Sequence, residues 1–405
     1  MNIKSFSIEG LFNRFNHRIE FKNNINIIIG KNGVGKTTCL ELLYALFNRK
    51  LKVLYDIPFQ KIELEFKNGE VWTISKKNVL EIRSTLDEES LSVLNDNASE
   101  VEIDDEYKLI GKDRFVNKST GEIVRLEQLP ERIKKYLFKT PLWFDDKINA
   151  SHIKIIQSQR LVEYGRIDVS GTVRPQNKAL LNAYNLSTQI KDIIAKASDI
   201  ASNLDKTFPT RLLSGVDGNK NRNDDLKKNL ADLEIKRREL GAIGLIATEP
   251  ENSVPQTDNI SETSANVLGL YVQDSWAKLQ PYEAIAQKLS LFVEIINSRF
   301  LYKKMTIDKN KGYFFVSDEG EEIPIDKLSS GEQNELVMFY NLLFECNENN
   351  LILIDEPEIS MHIEWLNNML PDLIAISKLN GLSMLIATHS PDFIGEYWNL
   401  TTELK

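Results

Sequence analysis

An α/β fold is predicted for this 405-residue chain from three apolar runs and from the residues that end them. The runs Ile25–Ile29, Leu351–Ile354 and Leu382–Ala387 have the length and largely apolar composition of strands buried on both faces. Each ends in glycine or in polar side chains. Because ligands bind at the carboxyl ends of parallel strands, we expect a ligand site at this edge of the sheet.

The first run leads into a phosphate-binding loop pattern, G-x-x-x-x-G-K-[ST]. Residues 39–47 then have helical spacing, so strand, glycine loop and helix follow one another as the motif requires. Backbone N–H groups of such a loop, together with the helix N-terminus, bind phosphate. We expect Lys36 to reach the β- and γ-phosphates of ATP and Thr37 to ligate Mg²⁺. The whole predicted nucleotide-binding set is Gly30, Lys31, Asn32, Gly33, Val34, Gly35, Lys36, Thr37 and Thr38.

The second run ends in two carboxylates, Asp355 and Glu356. A buried strand with an acidic end suits an aspartate that holds Mg²⁺ and a glutamate that activates the attacking water. An ordinary strand end with solvated acids would look the same in isolation. The phosphate loop elsewhere in the chain favours the catalytic interpretation.

Polar residues also end two other strands. His389 follows the third run, where it could hydrogen-bond the γ-phosphate or position water. The short apolar strand His152–Ile156 is followed by Gln157 and Gln159, and we choose Gln159 as a Mg²⁺ ligand that senses the nucleotide. Arg160 suits a phosphate contact and a surface ion pair equally well.

A serine-rich segment, Leu328 to Gln333, precedes a predicted helix over Asn334–Cys346. Ser329 or Ser330 could be an N-cap, since Glu or Gln follows at capping-box spacing. The same helix N-terminus and hydroxyl groups could bind a γ-phosphate. The two interpretations are compatible, and the distance from the phosphate loop along the chain suits a nucleotide presented by a second subunit.

Between these motifs, alternation and turn residues predict hairpins, and apolar spacing predicts helices. The hairpins lie around Asn68-Gly69, Gly111 and Glu319-Gly320, and the helices over 131–138, 179–206, 223–243 and 264–300. Each helix has at most about 40 residues, so an arm would reach about 60 Å. We therefore predict an N-terminal ATPase lobe (1–165), a helical insertion (166–305) and a C-terminal lobe (306–405).

Composition and charge bear on whether this chain binds nucleic acid, crosses a membrane or contains disulfides. The net charge of −9 argues against a uniformly basic nucleic-acid binder. Residues 1–60 nevertheless carry nine Lys/Arg against four Asp/Glu, which fits a solvated mixed surface or a basic face, so DNA stays open as a partner. No apolar run has the ~20 residues that cross a membrane. Two cysteines make no disulfide framework and favour a reducing, cytoplasmic setting.

Together the motifs resemble the ABC-type ATPase heads of the SMC/RecF/OLD (overcoming lysogenization defect) lineage. In that family's terms, the phosphate loop is Walker A, Gln159 the Q-loop and Leu328–Gln333 the signature, in which Ser330 replaces the first glycine and Glu332 follows the second. Residues 351–356 are similar to Walker B, 357–362 to the D-loop and 388–391 to the His switch. Residues 355–362 and 159–161 look closest to OLD-like ATPases of bacterial anti-phage systems, such as Septu, PARIS and retron-linked Septu variants.

The resemblance implies an ABC-type P-loop ATPase head with a mixed sheet and a helical insertion domain. In the family, two heads sandwich two ATP molecules, so a homo-oligomer is expected. It further implies that Ser329, Ser330, Gly331 and Glu332 act on the partner's nucleotide in trans. The adenine-stacking aromatic of transporter ATPases is not obvious, and Asn13, Arg14 or Phe15 could take its place.

The function expected from the resemblance is an ATP-hydrolysing sensor and scaffold that oligomerises and controls a separate effector through its nucleotide state. OLD proteins carry a nuclease domain after the ATPase, but only sixteen residues follow His389 here, so we expect a nuclease on another protein. The alternative is a RecF- or SMC-like repair ATPase that clamps DNA. The large insertion and the Gln-Arg-Leu element disfavour a transporter subunit.

Overall fold

The structure is a computed structural model. It describes residues 3–76, 79–85, 91–94, 101–102, 106–110, 114–125, 128, 130, 142–149, 152–156, 162–164, 175–214, 223–247, 262–348, 350–359 and 363–405. The chain folds as two compact units, one of residues 1–158 with 346–405 and the other of residues 159–345. The division into two ATPase lobes and an insertion stays a prediction.

Strands and helices are numbered in chain order. The strands are β1 (Ile3–Leu11), β2 (Phe15–Glu20), β3 (Ile25–Ile29), β4 (Lys61–Phe66), β5 (Val71–Lys76), β6 (Val79–Ser84), β7 (Leu91–Leu94), β8 (Val101–Glu102), β9 (Tyr107–Leu109), β10 (Arg114–Asn117), β11 (Ile123–Arg125), β12 (Ile153–Ile156), β13 (Val162–Tyr164), β14 (Pro175–Asn177), β15 (Lys303–Asp308), β16 (Gly312–Ser317), β17 (Glu322–Ile323), β18 (Leu351–Asp355), β19 (Ser383–Ala387) and β20 (Thr401–Glu403). The helices are α1 (Lys36–Phe47), α2 (Leu51–Asp56), α3 (Leu142–Asn149), α4 (Lys178–Leu213), α5 (Asn223–Ala242), α6 (Glu262–Leu279), α7 (Glu283–Arg299), α8 (Ser330–Tyr340), α9 (Ile363–Asn380) and α10 (Pro391–Ile394).

A five-stranded sheet lies at the centre of the first unit, in the order β12-β18-β19-β3-β20. Every neighbouring pair in it is parallel. The three apolar runs of the sequence are β3, β18 and β19, which lie side by side. Their carboxyl ends therefore meet at one edge, as the sequence predicts.

Helix α1 packs on this sheet, and most of its apolar residues are buried. Leu40 and Leu43 are fully buried and share a core with Ile28, Leu353 and Leu385 from three of the strands. Burial on both faces explains why these strands are continuous apolar runs. The helix is thereby held directly behind the phosphate loop.

A six-stranded antiparallel sheet, β2-β1-β4-β5-β6-β7, is the second layer of this unit. Strand β4 alternates half-buried and buried residues, as a sheet with one covered face does. Its hairpin with β5 around Gly69 is the one that the sequence predicts. Trp72 of β5 stacks on Phe47 of α1 with ring centroids 5.6 Å apart, which joins this sheet to the helix. A further four-stranded sheet has the order β11-β10-β9-β8.

Long helices form most of the second unit. Helix α4 has 36 residues and continues through Pro209. Arg211 near its end makes a bidentate ion pair with Asp274 of α6, with N–O distances of 2.5 and 2.7 Å. The three-stranded sheet β15-β16-β17 packs on α4, where a side chain at Gly312 would meet the Ala183 carbonyl oxygen at 1.9 Å. Only glycine allows this approach.

Several helix boundaries differ from the predicted ones; α4, for example, continues to Leu213 although the sequence predicts an end at residue 206. The predicted helix 264–300 is two helices, separated by a 3₁₀ turn at Gln280–Tyr282 that contains Pro281, a residue without a backbone N–H. Helix α8 begins at Ser330, four residues before the predicted start, because its capping residues precede the apolar spacing. The predicted helix over 131–138 lies outside the described residues.

Candidate functional site

The phosphate loop lies between β3 and α1 with the backbone that its glycines require. Gly33 and Gly35 have φ of 84° and 94°, in the left-handed region. Gly35 is the N-cap of α1 and provides no side-chain cap, so the first-turn N–H groups, including that of Thr38, are not taken by a capping side chain. Such an end suits an anion.

The β1–β2 hairpin supports this loop from one side. A Cβ atom at Gly35 would lie 2.7 Å from Cδ2 of Leu11, so the hairpin packs directly on the loop. The His17 imidazole Nε2 lies 2.7 Å from the Val34 carbonyl oxygen and is buried there. His17 could not be identified from the sequence, because a lone histidine in a strand belongs to no recognisable motif. Phe12, also missed, is 42% exposed and lies next to Gly35.

Lys36 is 6% exposed and turns back over the loop. Its Nζ donates to the carbonyl oxygens of Gly30 at 2.9 Å and Lys31 at 3.3 Å. The ammonium group is therefore held at the mouth of the loop. A phosphate in the loop would meet it there.

Thr37 and Asp355 come together although they are far apart in sequence. The Thr37 hydroxyl donates to Oδ1 of Asp355 at 3.0 Å. Burial raises the pKa of the Asp355 carboxyl, the Thr37 hydrogen bond opposes this, and the charges of Glu356, Glu41 and Glu358 raise it further. This site has an excess of negative charge that a cation would relieve.

These donors fit Mg²⁺ with ATP. Thr37 and Asp355 offer hard oxygen ligands, and Mg²⁺ commonly takes only one or two protein ligands and completes its shell with phosphate and water. Within the described part of the chain, no group of three or more His, Cys, Asp or Glu side chains could hold a metal by itself. The raised pKa of Asp355 is consistent with a carboxylate that ordinarily faces a cation.

Glu356 follows β18 in a strained conformation, with φ of 45°. Its backbone N–H donates to the Ala387 carbonyl at 2.8 Å, which holds the turn against β19. Its carboxylate Oε1 lies 3.4 Å from Nδ1 of His389. The two residues predicted to assist hydrolysis are thus neighbours at the edge of the sheet.

A third acid lies behind this pair. Glu358 Oε1 accepts from the Thr388 hydroxyl at 2.5 Å and from the His389 backbone N–H at 3.2 Å. In the sequence, Glu358 stands out only as part of the predicted D-loop, without a role of its own. It is thirty positions from Thr388, so no local pattern indicates the contact.

An open pocket of about 460 Å³ adjoins the phosphate loop. Its polar side is formed by Lys31, Asn32 and His389, and its apolar side includes Trp398, which is 50% exposed. The loop and the histidine thus share one cavity. Ile394, Trp398 and Glu403, for which the sequence predicts no role, also line it.

The serine-rich segment belongs to the second unit, where it caps α8. Ser329 Oγ accepts from the Glu332 N–H at 3.3 Å, and Glu332 Oε2 accepts from the Ser329 N–H at 2.9 Å. Burial tends to raise the Glu332 pKa, but hydrogen bonds from Lys303 at 2.8 Å and from Ser329 lower it overall. The predicted N-cap is therefore a full capping box. Ser330 and Gly331 form the first turn.

Gln157, Gln159, Arg160 and the end of the predicted D-loop, 360–362, lie outside the described residues. Of the adenine candidates, Arg14 places its guanidinium 5.3 Å from the ring centre of Phe15, while Asn13 is exposed with φ of 57°.

The fold and the phosphate loop define a P-loop ATPase. Residues 1–394 match the family model described as the AAA ATPase domain, so the chain belongs to that family. The predicted α/β P-loop ATPase fold is confirmed. The expected mixed sheet is not found among the described strands, because the central sheet is wholly parallel and the six-stranded sheet is wholly antiparallel. ATPase activity and nucleotide binding are properties of the family.

Comparison with solved structures finds the Smc head domain with an extended coiled coil, bound to the C-terminal domain of ScpA, from Pyrococcus furiosus. It is 14% identical, with 97% of this chain and 91% of that chain covered and a TM-score of 0.37. The SMC head domain from Thermotoga maritima is 11% identical, with the same coverages and a TM-score of 0.35. None of the curated proteins compared matches the sequence. Among the described helices, none is both long and apolar enough to span a bilayer.

Proposed function

We propose that this chain binds Mg²⁺·ATP and hydrolyses it at the carboxyl edge of the parallel sheet. One observation carries the proposal. Lys36, Thr37, Asp355, Glu356 and His389 come from three separate segments and converge at this edge. Two contacts join them, a hydrogen bond from Thr37 to Asp355 at 3.0 Å and an approach of Glu356 to His389 at 3.4 Å.

Lys36 and the loop N–H groups would bind the phosphates. The Lys36 ammonium donates to two neutral carbonyl oxygens of the loop. A phosphate oxygen carries more negative charge than a carbonyl oxygen, so the ammonium would exchange these partners for phosphate. Backbone amides and the α1 N-terminus supply the remaining positive potential.

Thr37 and Asp355 would hold Mg²⁺, with Gln159 as a further ligand. When bound, the cation neutralises charge on the phosphates during transfer. Glu356 polarises the attacking water through its carboxylate. His389 lies close enough to orient the same water or to donate to a phosphate oxygen.

Ser329, Ser330, Gly331 and Glu332 would complete the site of a second copy in a head-to-head homo-oligomer. The support is local. Ser329 is exposed at the N-terminus of α8, and its hydroxyl oxygen accepts the cap bond while its proton stays available to donate.

At the level of biology, we propose a cytoplasmic sensor and scaffold subunit of a bacterial anti-phage complex. It would hold a separate effector, a nuclease, and control it through nucleotide state. The support is the resemblance of residues 355–362 and 159–161 to OLD-like defence ATPases.

The chemistry is tested by nucleotide binding. Lys36→Ala removes the ammonium group and should abolish Mg²⁺·ATP binding in isothermal titration calorimetry. Lys22→Ala is the control, because Lys22 is an exposed lysine paired with Glu20 on the surface. Unchanged affinity in Lys36→Ala would contradict the phosphate-loop assignment.

The biological role is tested by mass spectrometry of proteins that copurify with the tagged chain from its host. A stoichiometric nuclease would support the scaffold role. Recombination proteins, together with DNA-stimulated and steeply salt-dependent ATP turnover, would instead indicate a repair clamp.

A further inference from the structure

Glu358 is a buried acid to which the catalytic scheme gives no role. Its side chain is 8% exposed, and it lies three residues beyond Asp355. The carboxylate oxygen Oε1 accepts two hydrogen bonds, from the Thr388 hydroxyl at 2.5 Å and from the His389 N–H at 3.2 Å. It therefore ties the segment after β18 to the end of β19.

The His389 ring lies between two carboxylates. Nδ1 is 3.4 Å from Glu356 Oε1 and 3.5 Å from Glu358 Oε1. Both distances are long for a hydrogen bond, so neither contact fixes the ring strongly. The backbone at Thr388 is held more firmly than the ring, because Thr388 is fully buried and its N–H donates to the Ile28 carbonyl at 3.1 Å. Glu358 thus holds the backbone of His389 rather than its ring.

Stability alone does not explain an acid at this position. Burying a carboxylate beside Asp355 and Glu356 costs desolvation and charge repulsion. Its second oxygen, Oε2, is buried without a hydrogen-bond partner in the described part of the chain. A neutral side chain of similar size would avoid these costs, and such costly polar groups concentrate at functional sites.

We propose that Glu358 is a positioning residue for ATP hydrolysis, which anchors Thr388 and the His389 backbone so that the imidazole faces Glu356. The inference rests on the proposed role of His389 and Glu356. It makes a specific claim, which is that Glu358 acts only through His389. A residue that merely stabilised the fold would not depend on His389.

Two substitutions each remove one partner of the hydrogen bond between the Thr388 hydroxyl and Glu358. Glu358→Ala and Thr388→Val should each lower kcat about 10- to 100-fold, since displacement of about 1 Å costs up to about 100-fold in rate. KM should stay within about twofold, because the phosphate loop is untouched. Glu358→Gln keeps one acceptor oxygen, and Thr388→Ser keeps the hydroxyl, so both should retain kcat within about threefold. Asp392→Asn, an exposed acid after Ser390, is the control.

A second readout does not depend on turnover. The dissociation constants of Mg²⁺·ATP and Mg²⁺·ADP are measured by calorimetry for the same proteins. If His389 contacts the terminal phosphate, Glu358→Ala should weaken ATP binding about 3- to 10-fold and leave ADP binding unchanged, which is within the range of one ordinary hydrogen bond.

A double-mutant cycle with His389→Ala tests whether Glu358 acts only through His389. In a His389→Ala background, Glu358→Ala should change kcat and the ATP/ADP affinity ratio by less than about twofold. An additional loss as large as in the wild-type background would overturn the proposal, as would unchanged kcat and affinity ratio in Glu358→Ala. A lowered melting temperature alone would indicate a structural role. If the wild-type chain binds no ATP, the proposed function itself fails, and this inference falls with it.

Discussion

Replacement of Gly35 by alanine tests how the β1–β2 hairpin shapes the phosphate loop. At φ of 94° an alanine is strained, and its Cβ would lie 2.7 Å from Leu11 Cδ2. Gly33 is a matched control, because it also has a positive φ, 84°, but a Cβ there meets nothing within 4 Å. The two substitutions differ in the contact with Leu11.

The expected loss of folding stability has two contributions, the strained backbone and the contact with Leu11. Left-handed backbone costs a non-glycine residue about 1–2 kcal/mol. Crowding a packed site adds about 1–3 kcal/mol, and Leu11 is fully buried and cannot swing into solvent. We therefore expect Gly33→Ala to lower the free energy of unfolding by about 1–2 kcal/mol and Gly35→Ala to lower it by about 2–5 kcal/mol.

Urea denaturation followed by tryptophan fluorescence measures both costs. A double-mutant cycle with Leu11→Ala isolates the contact. Because Leu11→Ala makes room for the new methyl group, Gly35→Ala in that background should lower the free energy of unfolding by only about 1–2 kcal/mol. Equal losses for Gly33→Ala and Gly35→Ala, or an unchanged cost of Gly35→Ala beside Leu11→Ala, would refute the packing of the hairpin on the loop.

Three further substitutions follow from the site. Asp355→Asn should raise the melting temperature without nucleotide, because it removes a charge crowded by other acids; a lowered melting temperature would contradict this. The same substitution should abolish Mg²⁺-dependent stabilisation by ATP. Lys303→Met should lower the free energy of unfolding by about 0.5–1 kcal/mol at neutral pH. Since the Glu332 pKa is lowered from 4.5, this loss should be constant above pH 4.5 and shrink below it in pH-dependent melts, whereas a pH-independent loss would exclude the ion pair. Ser329→Arg in a Glu356→Gln background should prevent ATP-dependent dimers in light scattering while the monomer still binds ATP; intact dimers would argue against a trans role.

The local features of the site could be predicted from sequence. The phosphate loop, the paired acids after β18 and the histidine after β19 each follow an apolar strand, and parallel pairing brings their ends together. Periodicity and strand-end chemistry suffice for this, because each signal spans only a few residues.

Contacts between distant residues could not be predicted in this way. Glu358 meets Thr388, and His17 meets the carbonyl of Val34, through folding that no local pattern encodes. The left-handed turn at Glu356 depends on its hydrogen bond to the neighbouring strand. Helix α8 begins where the predicted N-cap indicates rather than where the apolar spacing begins, because Ser329 and Glu332 form a capping box ahead of the apolar residues.

ATP turnover by Glu356→Gln is the most direct test of the central claim, that this edge of the sheet hydrolyses ATP. Phosphate release with Mg²⁺ is compared between wild type, Glu356→Gln and the exposed control Glu396→Gln. We predict that Glu356→Gln loses at least about 100-fold in kcat and still binds ATP like the wild type, since a general base contributes about 10²–10⁴-fold. Glu396→Gln should match the wild type. Turnover by Glu356→Gln at the wild-type rate would contradict the assignment of the catalytic carboxylate.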